Sequence, residues 1–71
     1  MRYIQMGLKI SYYRKLKGFT QEELAEMIGR SLPYIGAIEA PNIARAISLD
    51  TLFDIADALG VSPEKFLVFD E

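Results

Sequence analysis

Apolar positions along this chain recur with the ~3.6-residue period of helices and never alternate as a half-buried strand would. Leu24, Ala25 and Ile28 share one face of a segment at 21–28, and Ile35 and Ile38 share one face of the next, at 32–39. Leu49, Leu52, Ala56 and Leu59 descend a segment at 49–59 at i, i+3, i+7 and i+10. The first segment, about 3–17, carries two stripes. Met6, Ile10 and Tyr13 form one, and Leu8, Tyr12 and Leu16 form the other on a different side. With a short apolar stretch at 63–68, the pattern predicts five helices, at about 3–17, 21–28, 32–39, 49–59 and 63–68, and an all-α fold.

Polar punctuation supports these limits. Thr20, Ser31, Ser48 and Ser62 each precede a predicted helix, where a hydroxyl can accept from a free backbone amide of the first turn. Thr20-Gln21-Glu22-Glu23 has the spacing of a capping box, and Ser62-Pro63 puts proline where its missing amide costs nothing. Gly18, Gly29 and Gly60 each follow a helical segment, as residues that adopt the left-handed conformation do. The connection at 40–48 is the longest, and its Ile43 and Ile47 are expected to anchor it to the core.

Composition narrows the function. Seventy-one residues, 51% of them apolar, give room for one domain and one core. The absence of His and Cys removes imidazole acid–base catalysis, thiolate nucleophiles, the usual soft metal sites and disulfides. No metal or cofactor is expected, and Asp50, Asp54 and Asp57 read as the solvated face of the fourth helix, not as catalytic carboxylates; the chain is not expected to be an enzyme. No apolar run approaches the ~20 residues that span a bilayer, so a cytoplasmic protein without membrane contact is expected. The net charge of −2 hides a gradient: Arg2, Lys9, Arg14, Lys15 and Lys17 make residues 1–18 wholly basic, while residues 46–71 set Lys65 against six acids. A basic end can still meet a polyanion, because exposed charges farther apart than ~10 Å are largely screened.

Two short helices joined by Gly29-Arg30-Ser31 must cross steeply, which requires a small residue at the crossing, a positive-φ turn and a shared apolar core. Ala25, Gly29, Leu24, Ile28, Ile35 and Ile38 meet those demands together. Here the chain resembles the helix-turn-helix family of phage Cro and repressor proteins, the xenobiotic-response-element type. The resemblance covers about residues 7–68. It is carried by Gly7-Leu8-Lys9-Ile10, Arg14 to Ala25, Ile28-Gly29-Arg30-Ser31, Tyr34 to Glu39, Ser48 to Leu52 and Ile55 to Val61. It implies a five-helix repressor-like domain, here a single domain at 1–71 with its helix-turn-helix motif at about 20–39, that regulates transcription by binding double-stranded DNA as a homodimer. The third helix then lies in the major groove of a palindromic operator.

By the same resemblance, Arg30, Ser31, Leu32, Pro33, Gly36, Ala37 and Ala40 face base edges or nearby phosphates. Gln21 matches a phosphate clamp, Tyr34 a backbone contact or a ring closing the core edge, and Arg45 a phosphate contact. Arg14 and Glu39 match a structural ion pair. The chain departs from the family at Leu32, Pro33, Gly36, Ala37 and Ala40, where polar readers are usual, so modest sequence specificity and weak binding at physiological salt are expected. Gly36, inside a short helix, implies either a close backbone approach or simple tolerance. The surplus stripe of Leu8, Tyr12 and Leu16, with Val68 and Phe69, forms a candidate dimer or partner surface; Phe66 and Leu67 are expected to close the core. The same departures leave open a second function, a protein-interaction module of adaptor or antitoxin type with weak DNA binding.

Overall fold

The computed structural model describes residues 2–41 and 46–68. Four α-helices follow one another: α1 Arg2–Leu16, α2 Gln21–Ile28, α3 Leu32–Glu39 and α4 Leu49–Leu59, and a 3-10 turn at Pro63–Phe66 closes the order. The predicted limits of α2, α3 and α4 hold residue for residue because local caps fix them. Thr20 Oγ1 accepts from Glu23 N at 3.0 Å while Glu23 Oε1 accepts from Thr20 N at 2.8 Å. Ser31 and Ser48 cap α3 and α4 by accepting from Tyr34 N and Thr51 N, both at 3.2 Å. Gly29 ends α2 at φ +70°, a conformation that would strain any side chain, and from there the chain turns directly into α3.

The fifth helix is a correction. Only the four residues Pro63–Phe66 wind, as a 3-10 turn, because a segment this short closes at Leu67 N to Glu64 O and has no second turn to propagate. Phe66 is fully buried, but Leu67, expected to help close the core, is 46% exposed. Phe66 alone fills the remaining space, meeting Tyr13 edge to face with ring centroids 5.5 Å apart.

Met6, Ile10, Leu24, Ala25, Ile35, Ile38, Leu52, Ile55, Ala56, Leu59 and Phe66 make one continuous core, with Tyr13, Phe19, Ile28 and Ile47 packed at its margin. Leu49 does not join it. At 63% exposure it lies one turn beyond the edge of the core, and Ile55 takes its place, so the stripe of α4 runs 52, 55, 56, 59. Ile43 lies outside the described residues.

Where α1 crosses α3, Gly7 is buried and a Cβ built on it would overlap the Ile38 carbonyl oxygen. The two backbones can touch only because residue 7 has no side chain. This contact sets how far α3 stands from α1, and therefore where its opposite face is presented.

Candidate nucleic-acid interface

One side of α3 is locked inward. Arg14 donates from Nε to Glu39 Oε2 at 2.8 Å, from Nη2 to Glu39 Oε1 at 2.9 Å and from Nη1 to the Phe19 carbonyl at 2.7 Å. Both charged side chains are buried, so the pair is costly to break even though burial offsets part of its Coulombic gain. Glu39 Oε1 also accepts from Gln21 Nε2 at 3.0 Å, which ties the first residue of α2 to the last of α3.

The other side of α3 is open. Leu32 and Pro33 are exposed, and Gly36, Ala37 and Ala40 are half-buried, so these five share one face at i, i+1, i+4, i+5 and i+8. Ser31 begins this face with its hydroxyl engaged as the cap. A Cβ added to Gly36 would meet no atom closer than Gln21 Oε1, at 4.0 Å. Among the described residues no backbone outside α3 itself comes within 4 Å of that position, so a close approach by another of the described segments does not account for that glycine.

Arg30 stands at the edge of this face and is already engaged. Its Nη2 donates to Thr51 Oγ1 at 3.0 Å, and its guanidinium lies 4.9 Å from the centroid of the Tyr34 ring. Tyr34 is half-buried and serves as the platform for that cation. Thr51, on α4 and almost fully buried, also accepts from Ser48 Oγ at 3.0 Å, so its hydroxyl joins the cap of α4 to the edge of the motif. Sequence reasoning missed Thr51, since a threonine in the first turn of a helix carries no sign of a partner some twenty residues away. It also gave Gly7 no role, although a glycine between the core positions Met6 and Ile10 is a readable sign of close helix contact.

Arg45 and Phe69 lie outside the described residues. Leu8, Tyr12, Leu16 and Val68 are all exposed, so Val68 does not cover the stripe on α1. Beside that stripe a shallow groove is lined by Gln5, Leu8, Lys9, Tyr12 and Tyr13. Asp50, Asp54 and Asp57 are exposed on α4. Among the described residues no helix is long and apolar enough to cross a membrane.

Comparison with known proteins agrees with this geometry. Residues 10–66 match the helix-turn-helix family model. YazB of Bacillus subtilis (strain 168), an uncharacterized HTH-type transcriptional regulator, is 41% identical over 59 residues, 83% of each chain. SinR, a master regulator for biofilm formation solved in complex with DNA, superposes with a TM-score of 0.81 at 35% identity, over 89% of this chain and 98% of its own. The restriction-modification controller protein C.AhdI from Aeromonas hydrophila gives a TM-score of 0.81 at 30% identity, over 90% and 94% of the two chains. With the open face of α3, the steep α2–α3 turn and these matches together, the chain belongs to the Cro/C1-type helix-turn-helix family of DNA-binding transcriptional regulators, a family without enzymatic activity.

Proposed function

We propose that this protein regulates transcription in the cytoplasm as a homodimer, each protomer laying α3 in the major groove of one half of a palindromic operator. The observation that carries the proposal is the two-sidedness of α3: its inward side is fixed by Arg14, Glu39 and Gly7, while Leu32, Pro33, Gly36 and Ala37 are free to meet base edges. Arg30 and Ser31 are its polar readers, Tyr34 and Arg45 its backbone contacts. The first turn of α2, at Gln21, offers free backbone amides to a phosphate.

The two-fold axis runs beside the exposed stripe of Leu8, Tyr12 and Leu16, and the chain end that begins at Val68 supplies the partner's side of the contact. A palindromic operator requires that this two-fold hold the two recognition helices ~34 Å apart, one turn of DNA. Apolar readers touch thymine methyls but make no bidentate bonds, so discrimination is modest, and the short supply of basic side chains near α3 releases few counterions, so binding is weak at physiological salt.

Selection of bound sequences from random duplex DNA tests the proposal. Enrichment of a palindrome, with affinity that falls as salt rises, is the expected outcome. No enrichment and a log–log salt slope near zero would overturn it in favour of a protein-interaction module, the function that the apolar front of α3 would then serve.

A further inference from the structure

We infer that Thr51, on α4 and outside the helix-turn-helix motif, is a positioning residue for DNA binding: its hydroxyl holds Arg30 in the pose in which Arg30 meets the duplex. The inference rests on the placement of α3 in the major groove proposed above.

Thr51 is only 2% exposed, so its hydroxyl does not reach DNA itself. It ends a short relay instead. Ser48 Oγ accepts from Thr51 N at 3.2 Å as the cap of α4, which leaves the serine proton free to be donated to Thr51 Oγ1 at 3.0 Å. Arg30 Nη2, which can only donate, binds the same oxygen at 3.0 Å. Thr51 Oγ1 is therefore an acceptor for both, held in place by the first turn of α4.

Arg30 is exposed, between the end of α2 and the start of α3. A long side chain in such a place samples many rotamers, and ordering it on binding costs affinity. Here two contacts remove that freedom beforehand. The Tyr34 ring, with the guanidinium 4.9 Å from its centroid, supports the cation, but an exposed contact of this kind is weak and lets the group slide across the ring. The directional bond to Thr51 selects one pose. It uses a single N–H of the guanidinium, and the others have no hydrogen-bond partner among the described residues. Those donors suit a phosphate oxygen and a guanine edge alike, so the positioning serves either contact.

The test is fluorescence anisotropy across a range of salt on the duplex selected by the full chain, at a temperature where circular dichroism shows every variant folded. Thr51→Val keeps the branched shape and removes the acceptor. Affinity is expected to fall about 3- to 10-fold, with the salt slope unchanged because Arg30 still ends on the DNA. Thr51→Ser keeps the oxygen and loses a buried methyl, so it should lower Tm yet bind as the wild type does. In an Arg30→Ala background, Thr51→Val should weaken binding no further. If Thr51→Val lowers Tm alone, or weakens binding equally with and without Arg30, the hydroxyl serves only the fold and the inference is wrong. Equal losses of affinity in Thr51→Ser and Thr51→Val would overturn it as well. Should the wild-type protein itself bind no duplex in a salt-dependent way, the DNA proposal falls and takes this inference with it.

Discussion

The two sides of α3 are built by opposite rules. On the inner side nearly every atom has an assigned partner: Ile35 and Ile38 are buried, Gly7 admits the backbone of α1, and Glu39 answers Arg14 and Gln21. On the outer side Leu32, Pro33, Gly36 and Ala37 meet little of their own protein. The difference separates the residues that hold this eight-residue helix in place from those left open for the DNA contact proposed above. Substitutions on the inner side should act on folding, and those on the outer side on DNA preference.

The largest effect should come from Glu39→Ala, which strands a buried guanidinium and is expected to cost about 3–5 kcal/mol, comparable with the whole stability of a domain this small. Urea unfolding measures it; a loss below 1 kcal/mol would mean that the inner side is not the anchor it is taken for. Next comes Gly7→Ala, whose methyl must push the backbones of α1 and α3 apart, at about 1–3 kcal/mol. Thermal melting should show it as a clear drop in Tm. Ser31→Ala stands at the border of the two sides: removing the cap of α3 should cost about 1 kcal/mol in urea unfolding and, because the same hydroxyl is a proposed reader, also relax base-pair preference. Smallest, and opposite in sign, is Gly36→Ala. The added methyl finds ordinary contact distance and a helix-favouring residue replaces glycine, so stability should rise by about 0.5–1 kcal/mol. If Gly36→Ala instead destabilised the fold as Gly7→Ala does, the contrast between the sides would collapse.

How far the sequence disclosed this arrangement depended on the range of the forces involved. Caps act within four residues, so Thr20, Ser31, Ser48, Gly29 and Gly60 placed the limits of α2, α3 and α4 correctly. The carboxy-terminal segment was misread because an apolar run signals burial without saying how much room remains; one ring, Phe66, filled it and left Leu67 outside. Leu49 was misread for a related reason, since periods beginning at 49 and at 52 fit the same helix and only the extent of the core decides between them. At the interface, the open positions on α3 could be listed from the resemblance, but not the engagements that fix them. Gln21 with Glu39, and Arg30 with Thr51 and Tyr34, join residues whose proximity exists only after α2, α3 and α4 have packed.

The guanidinium of Arg14 has a consequence for the way the molecule opens. It clamps three places at once: its own helix, the Phe19 carbonyl in the turn that leads to α2, and the carboxylate at the end of α3. Releasing α3 alone would leave that charge facing the core, so α3 cannot fray while α1 stays docked. Amide protons on the two helices should therefore exchange in a single opening event with a common free energy, and the recognition helix should reach its target already ordered, with little conformational entropy left to lose when it binds.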